Sequence, residues 1–305
     1  MLIKEIQGKI KELKEKKDIC ILAHSYQGQE ILEVADYTGD SYKLSVDAKN
    51  CSQENIILCG VKFMAETAKI LSPHKRVFMP NKEAGCPMAE QMEPELIEMF
   101  KKIEPDRKIV AYINTTAKLK TLSDVCVTSS SAVKIVNAMP DKKLLFIPDC
   151  NLGGYVRDRV KDKDIKLLQG GCPVHAAVNA ADVEKAKKRH PDSLVLVHPE
   201  CQPEVVEIAD FTGSTSEIMN FARKSEHNNF IIGTEISITE HLQFEMPEKN
   251  FFNLSKKIMC PNMKITTLID VYRTVTDLEN AYEIDLSDED ISKAKGCIDK
   301  MLELG

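Results

Sequence analysis

Three Cys-Pro pairs divide this 305-residue chain at a nearly constant interval, and this repeat limits the folds that the chain can adopt. The tripeptides GCP, GCP and MCP place the cysteines at Cys86, Cys172 and Cys260, which are 86 and 88 residues apart. A fixed internal period indicates that one structural unit has been copied along the chain. The fold is therefore expected to consist of three related units.

Other landmarks recur in the same order and at about the same period. A polar residue ends the first β-rich run of each unit, at His24, Tyr112 and His198. A segment rich in Ser and Thr follows, in EVADYTGDS, LSDVCVTSSS and EIADFTGST, and then an apolar run, in ENIILCG, KKLLFIPDC and NNFIIGTE. Because four classes of landmark share one period, we interpret the chain as a triplication.

The pattern within each unit predicts an α/β fold. Three short runs of Val, Ile and Leu, bounded by Gly, Pro or Asp, alternate with helical segments, which is typical of parallel strands covered on both faces. We predict three homologous αβα sandwich domains with small parallel sheets, related by a pseudo-threefold axis, with the active site at their central junction. The predicted boundaries are an N-terminal helix in 1–17, repeats at 18–105, 106–189 and 190–287, and a C-terminal helix in 288–305.

Composition excludes several classes of protein. A formal charge of −6 disfavours a nucleic-acid binder, which normally carries a basic excess. No apolar run approaches the roughly 20 residues that span a bilayer, and the first 20 residues are charged and amphipathic, unlike a secretory signal. A cytoplasmic protein is expected, with no membrane or nucleic-acid partner. In that compartment the ten cysteines predict thiols or metal ligands rather than a disulfide framework.

The repeat separates three cysteines from the other seven, since only Cys86, Cys172 and Cys260 occupy equivalent positions. Three thiolates brought together could bind zinc with an open fourth position, or three irons of a [4Fe–4S] cluster. The spacing leaves both choices open. Pro after each cysteine is explained by a helix start, but the repeated cysteine is not. His175, one turn after Cys172, could coordinate a metal, contact a ligand or simply pack.

Two further sets of polar residues are expected to line the same pocket, because ligands bind at the carboxyl ends of parallel strands. Hydroxyl groups near helix starts suit an anionic ligand, although simple N-capping explains each of them singly. These are Ser41, Ser129, Ser214 and Thr215. Strand-end residues suited to proton transfer form the second set. These are His24, Tyr26, Tyr112, Asn114, His198 and Glu200. The other four histidines, His74, His190, His227 and His241, are expected at the surface or in loops.

Ten stretches resemble one family, quinolinate synthase of NAD biosynthesis, in order and over nearly the full length. They are LAHSYQ, ADYTGDS, GVKFMAE, GCPMA, PDCNLGGYV, GCPVH, VHPEC, ADFTGST, IGTEI and CPNMK. The resemblance implies a three-domain pseudo-threefold fold and an oxygen-sensitive [4Fe–4S] cluster on Cys86, Cys172 and Cys260, with one iron open to substrate. The implied reaction condenses iminoaspartate (iminosuccinate) with dihydroxyacetone phosphate to quinolinate, releasing phosphate and water.

The resemblance also implies roles for the two polar sets. Tyr26, Tyr112, His198 and Glu200 would be catalytic, and the substrates would contact His24, Ser41, Tyr112, Asn114, Ser129, His198, Glu200, Ser214 and Thr215. Transient contact with the enzyme that produces the imine is left open. Two rival functions are a non-catalytic iron–sulfur sensor and a zinc-dependent hydrolase or aldolase-like lyase.

Overall fold

A computed structural model describes residues 2–305, which form three separate sheets covered by helices. The strands are β1 (Ile19–His24), β2 (Tyr37–Gly39), β3 (Asn55–Cys59), β4 (Arg76–Met79), β5 (Lys108–Tyr112), β6 (Val125–Val127), β7 (Lys143–Ile147), β8 (Asp164–Leu167), β9 (Leu194–Val197), β10 (Phe211–Thr212), β11 (Asn229–Gly233), β12 (Asn250–Asn253) and β13 (Tyr282–Glu283).

The helices alternate with these strands along the chain. They are α1 (Ile3–Lys16), α2 (Gln29–Leu32), α3 (Ser41–Asn50), α4 (Lys62–Leu71), α5 (Pro87–Glu90), α6 (Pro94–Ile103), α7 (Ala117–Lys120), α8 (Ala132–Ala138), α9 (Cys150–Arg159), α10 (Ala180–Arg189), α11 (Pro203–Glu207), α12 (Thr215–Lys224), α13 (Ser237–Glu245), α14 (Pro261–Lys264), α15 (Leu268–Thr276) and α16 (Asp288–Leu304). Short 3₁₀ segments span His175–Ala177 and Lys256–Ile258.

The three sheets repeat one strand order. They read β2-β1-β3-β4, β6-β5-β7-β8 and β10-β9-β11-β12, and every neighbouring pair within these orders is parallel. The predicted α/β class with three parallel-dominated sheets is therefore confirmed. The pseudo-threefold axis and the domain boundaries stay predictions.

Burial on both faces explains why the strands read as continuous apolar runs. In β1, Ile19 and Ile21 face one apolar cluster, while Cys20 and Leu22 face another. The third sheet shows the same alternation, with Val195 on one side of β9 and Leu196 on the other side.

Each unit has one parallel strand more than the three apolar runs predicted, and the first sheet also contains the antiparallel strand β13. The additional parallel strands are the short edge strands β2, β6 and β10, which arise from the Ser- and Thr-rich segments. They contain only two or three residues, and two of them include no Val, Ile or Leu. A run of two or three residues is too short to give a periodic signal, so only its pairing partner identifies it as a strand.

Three further segments pack against the first two sheets. Helices α1 and α16 lie near the two ends of the described chain, and α1 packs against α15. Helix α16 packs against β6, α4, α7 and α8. Residues 268–283, which the predicted boundaries place in the third repeat, lie against the first sheet, where β13 pairs antiparallel with β4. The apolar face of α15 explains this placement, since Val271 and Val275 are fully buried beside Ile10.

Among residues 2–305, no helix has the length and apolar character needed to cross a bilayer.

Ile10→Ala is expected to lower the free energy of unfolding by about 2–5 kcal/mol, because it leaves a cavity between α1 and α15. The matched control is Ile3→Ala on the same helix, where the side chain is 57% exposed. Urea denaturation of both variants checks this. Equal effects would contradict the packing of α1 against α15.

Candidate active site

The carboxyl ends of all three parallel sheets contribute to one small buried cavity of about 50 Å³. His24 ends β1, Tyr112 ends β5, and His198 directly follows β9. All three side chains are buried. The remaining lining residues include polar groups from the Ser and Thr segments and from the strand ends: Tyr26, Asp40, Ser41, Asn114, Thr128, Ser129, Glu200 and Thr215.

The two histidines of this cavity are held in the same way. The Tyr26 N–H donates to His24 Nδ1 at 3.1 Å, and the Glu200 N–H donates to His198 Nδ1 at 3.3 Å. A nitrogen that accepts a backbone N–H carries no proton, so we assign both neutral rings the Nε2–H tautomer. The same residue spacing thus orients equivalent rings in the first and third repeats.

Burial also sets the protonation of these rings. It lowers the pKa of His24 and of His198 to about 4, although nearby Asp40 and Glu200 act in the opposite direction. Both rings are therefore neutral at pH 7 and present an Nε2–H donor.

The tyrosines are protonated donors for the same reason. Burial, followed by the charge of Glu200, raises the pKa of both Tyr26 and Tyr112 well above the usual value. The Tyr26 hydroxyl lies 2.8 Å from Thr215 Oγ1 and 2.8 Å from Thr234 Oγ1, so it joins the first unit to the third.

The Ser and Thr segments do precede helices, namely α3, α8 and α12. Ser41, Ser129 and Thr215 line the cavity, whereas Ser214 does not. Ser214 is the N-cap of α12, where its Oγ accepts the Glu217 N–H and its own N–H donates to Glu217 Oε2 at 2.7 Å. Simple N-capping, the alternative to ligand binding for these hydroxyl groups, is therefore the interaction that Ser214 makes.

A second cavity of about 300 Å³ adjoins the first and is lined by all three repeat cysteines, Cys86, Cys172 and Cys260. Five residues line both cavities: Tyr26, Phe63, Asn114, Glu200 and Met263. Burial raises the pKa of each of the three thiols, that of Cys86 to about 12.

Local structure supplies part of this arrangement. Cys86 and Cys260 are N-caps whose prolines begin α5 and α14, as the Cys-Pro pattern predicts. Cys172 differs, because Pro173 lies in a turn and only a short 3₁₀ segment follows it.

His175 lines the cysteine cavity, and its ring contacts Glu200, which lines both cavities. Nδ1 lies 2.7 Å from Glu200 Oε2 and 3.3 Å from Cys172 Sγ, and Nε2 lies 3.1 Å from Thr234 Oγ1. Burial opposes the charged form of both groups, but their neighbours prevail. Cys172 and then Glu200 raise the pKa of His175 well above its usual value, and His175 and then His198 lower the pKa of Glu200 to about 2. Glu200 is thus a buried carboxylate that is ionised at neutral pH.

Two buried oxygens at the shared wall have no hydrogen-bond partner in the described chain. They are Glu200 Oε1 and Asn114 Oδ1. Buried acceptors are normally satisfied, so this wall is suited to a ligand that brings donors or a metal. One group of side chains here is close enough to hold a metal ion. The ligand atoms of Cys172, His175 and Glu200 lie within 4.8 Å of one another, and among residues 2–305 this is the one such group of His, Cys, Asp or Glu.

Comparison with known proteins agrees with the motif resemblance. The family model for quinolinate synthetase A protein (NadA) matches residues 8–303. The chain belongs to this family. It is 48% identical to the quinolinate synthase of Caldicellulosiruptor bescii over 305 residues, covering all of both chains. It is 47% identical to that of Caldicellulosiruptor saccharolyticus over 304 residues, again covering both chains in full. Identity to that of Clostridium kluyveri is 45% over 297 residues, covering 97% of each.

Within this family member, one histidine does not lie where the sequence suggested. His241 was expected at the surface or in a loop, but it is buried on α13, with Nδ1 3.0 Å from Gln29 Oε1 and Nε2 3.0 Å from the Gln27 carbonyl. His190, in contrast, lies in a bend directly after α10, as expected, and stacks on Phe252 with ring centroids 3.6 Å apart. A polar ring on a mostly polar helix gives no sign that another unit will cover it.

Thr234 and Glu235, directly after β11, were missed by sequence reasoning, and so was Asp149 after β7. All three are fully buried. Their signal was available, because Asp149 and Glu235 both stand two residues beyond the third strand of their unit.

The neutral histidines predict a specific pH dependence of stability. Their folded pKa of about 4 lies below the unfolded value near 6.5, so the unfolded state binds more protons between these values, and their contribution is lost as pH falls from about 6.5 to 4. Each ring adds up to about 1.4 kcal/mol per pH unit in that window.

His198→Asn should reduce the slope of unfolding free energy against pH between pH 5 and 6 by up to that amount. Urea denaturation at a series of pH values measures the difference from the parent protein, with His74→Asn at an exposed position as the control. An unchanged slope in His198→Asn would show that His198 is not buried in its neutral form.

Proposed function

We propose that this chain is a quinolinate synthase that condenses iminoaspartate with dihydroxyacetone phosphate, using a [4Fe–4S] cluster on Cys86, Cys172 and Cys260. The observation that carries the proposal is the pair of adjoining cavities, one lined by the three cysteines and the other by polar groups from all three sheets. Family membership supports the reaction, since the relatives are named for it.

The donor set fits the cluster. The three sulfurs do not form a group with ligand atoms within 4.8 Å of one another. Tetrahedral zinc would require sulfurs about 3.8 Å apart, given Zn–S bonds of about 2.3 Å. A cluster places each cysteine on a different iron, which suits a wider spacing. When bound by Cys86, Cys172 and Cys260, the cluster would supply a Lewis-acidic iron with a coordination position open to substrate.

The smaller cavity offers anionic substrates hydrogen-bond donors rather than ion pairs, and its lining carboxyl groups are those of Asp40 and Glu200. Of the described residues that line it, none is Lys or Arg. Carboxylate and phosphate oxygens would instead accept hydrogen bonds from Ser41, Ser129 and Thr215, and from the free N–H groups at the starts of α3 and α12. The neutral rings of His24 and His198 add Nε2–H donors.

Protonation assigns complementary roles to the remaining groups. Glu200 is ionised, and its unpartnered Oε1 lies at the wall between the cavities, so it can take a proton from substrate. Tyr26 and Tyr112 hold their protons and can donate them to a leaving or carbonyl oxygen. Asn114 supplies an amide for orientation. Schiff-base formation, isomerisation and ring closure need this combination of base and acids.

A zinc enzyme is the second candidate, because Cys172, His175 and Glu200 form a compact possible zinc site. A zinc ion bound by those three residues would leave Cys86 and Cys260 without a function. Iron and acid-labile sulfide analysis separates the two, and a colourless zinc protein would refute the cluster. An iron–sulfur sensor would carry the cluster but form no product.

An oxygen-sensitive cluster and ten free thiols suit a reducing compartment, so we further propose a cytoplasmic location.

The direct test is anaerobic incubation of cluster-replete protein with iminoaspartate and dihydroxyacetone phosphate. Quinolinate should form, and Cys86→Ser, Cys172→Ser and Cys260→Ser should each lower its formation by at least about 100-fold, since even residues behind a metal ligand are worth about 10–100-fold. Each of these variants should also lose its iron and acid-labile sulfide, and with them the brown colour of the cluster.

Cys150→Ser is the matched control, since Cys150 is a partly exposed cysteine at a helix start that lies outside both cavities. It should retain the cluster and the activity. Full activity in any of the three ligand variants would refute its assignment, and absence of product from the replete parent protein would refute the reaction.

A further inference from the structure

The three proposed cluster cysteines share a backbone interaction that the other seven lack. Each donates its own N–H to a side-chain carboxylate: Cys86 to Glu90 Oε1 at 3.2 Å, Cys172 to Asp149 Oδ2 at 3.0 Å, and Cys260 to Glu235 Oε1 at 3.3 Å. Across residues 2–305, no other cysteine N–H donates to a carboxylate; Cys51, Cys150 and Cys201, for example, donate to backbone carbonyls.

Two of the carboxylates come from equivalent places in the fold. Asp149 stands two residues after β7 and Glu235 two residues after β11, and their cysteines follow 23 and 25 residues later. The equivalent position after β3 is Val61, 25 residues before Cys86, and it carries no carboxylate. In that repeat Glu90, four residues after the cysteine, supplies the acceptor instead. All three cysteines therefore donate their N–H to a carboxylate, but in the first repeat the carboxylate comes from a different position in the sequence.

Asp149 and Glu235 act as straps because each carboxylate binds two N–H groups. Asp149 Oδ1 accepts the Leu152 N–H at 2.8 Å, and Glu235 Oε2 accepts the Ser237 N–H at 2.9 Å. Both side chains are fully buried. Each therefore ties the segment after a central strand to the loop that carries a cysteine. Glu90 forms the local version, within its own helix start, where its N–H also donates to the Cys86 carbonyl at 3.1 Å.

The glycines of the two GCP motifs make room for this interaction. A Cβ on Gly85 would lie 2.9 Å from Glu90 Oε1, and a Cβ on Gly171 would lie 3.3 Å from Asp149 Oδ2. The first contact is closer than real Cβ atoms adopt, and the second is tight. Gly before the cysteine thus lets the carboxylate approach the cysteine N–H.

We propose that Glu90, Asp149 and Glu235 are positioning residues that fix the backbones of Cys86, Cys172 and Cys260 and thereby hold the three sulfurs ready for the cluster. This inference rests on the cluster assignment in the proposed function. Groups behind the ligands orient them and limit how far a loop can open when an iron is lost. Their removal should therefore speed cluster loss.

Acceptor counting predicts which substitutions break the interaction. Asp149 and Glu235 each use both oxygens, so in Asp149→Asn or Glu235→Gln one of the two N–H groups faces an amide NH₂ and the strap breaks, whichever way the amide turns. Glu90 accepts the Cys86 N–H with a single oxygen, so Glu90→Gln can keep the bond whereas Glu90→Ala cannot.

The test follows the decay of cluster absorbance when anaerobic, cluster-replete protein is mixed with an iron chelator. Asp149→Asn and Glu235→Gln should lose the cluster about 10–100 times faster than the parent protein. Glu90→Ala should lose it about 3–10 times faster, and Glu90→Gln should stay within about twofold of the parent. Urea midpoints of the cluster-free proteins serve as the structural control, and those of the two Glu90 variants should match the parent.

If the cluster decays in Asp149→Asn and Glu235→Gln at the parent rate, the proposal is overturned. Equally fast decay in Glu90→Gln and Glu90→Ala would also overturn it, because the effect would then come from the charge of Glu90 rather than from its hydrogen bond. Because Glu90 is exposed and local, its pair of variants decides the matter even if a strap variant does not fold. Parent protein without iron would reject the cluster assignment and this inference together. Parent protein with its cluster but without quinolinate formation would reject only the reaction.

Discussion

Parallel strands direct all their carboxyl ends to one edge of a sheet, and three such edges here open onto one buried space. Burial then decides what the polar groups there can do. It keeps the rings of His24 and His198 neutral and the phenols of Tyr26 and Tyr112 protonated. Glu200 is the exception, since the opposing charge of His175 keeps it ionised despite burial. The site therefore combines one ionised carboxylate with several neutral hydrogen-bond donors at a single pH.

Much of this site follows from the sequence because the chain repeats itself. Equivalence between units, rather than any single motif, separates Cys172 from nearby Cys201 and gives weight to residues at strand ends. The same logic gives three parallel-dominated sheets. Comparison of the units could also have identified Asp149 and Glu235, which occupy equivalent positions. Their role depends on which backbone N–H lies opposite each carboxylate, and only the tertiary structure decides this.

Other features could not be obtained from the sequence for physical reasons. The edge strands β2, β6 and β10 depend on pairing rather than on composition. Ser214 reads like Thr215 in sequence, yet capping of α12 occupies its hydroxyl, while the hydroxyl of Thr215 meets Tyr26. His241 becomes a buried residue only because the first unit supplies Gln27 and Gln29 as partners. Pairing and burial of this kind depend on neighbours that are distant in the chain, and the sequence shows Ser214 and Thr215 only as adjacent hydroxyl residues.

The placement of α16 has a consequence for synthesis on the ribosome. This helix covers β6 and packs on α4, α7 and α8, with Ala294, Cys297, Ile298 and Met301 buried in the cluster shared by the first two sheets. The ribosome makes residues 108–167 of the second sheet long before residues 288–304. The nascent chain must therefore keep part of that apolar surface uncovered while the whole third sheet emerges. A chaperone that shields exposed apolar surface would have its longest opportunity to act there.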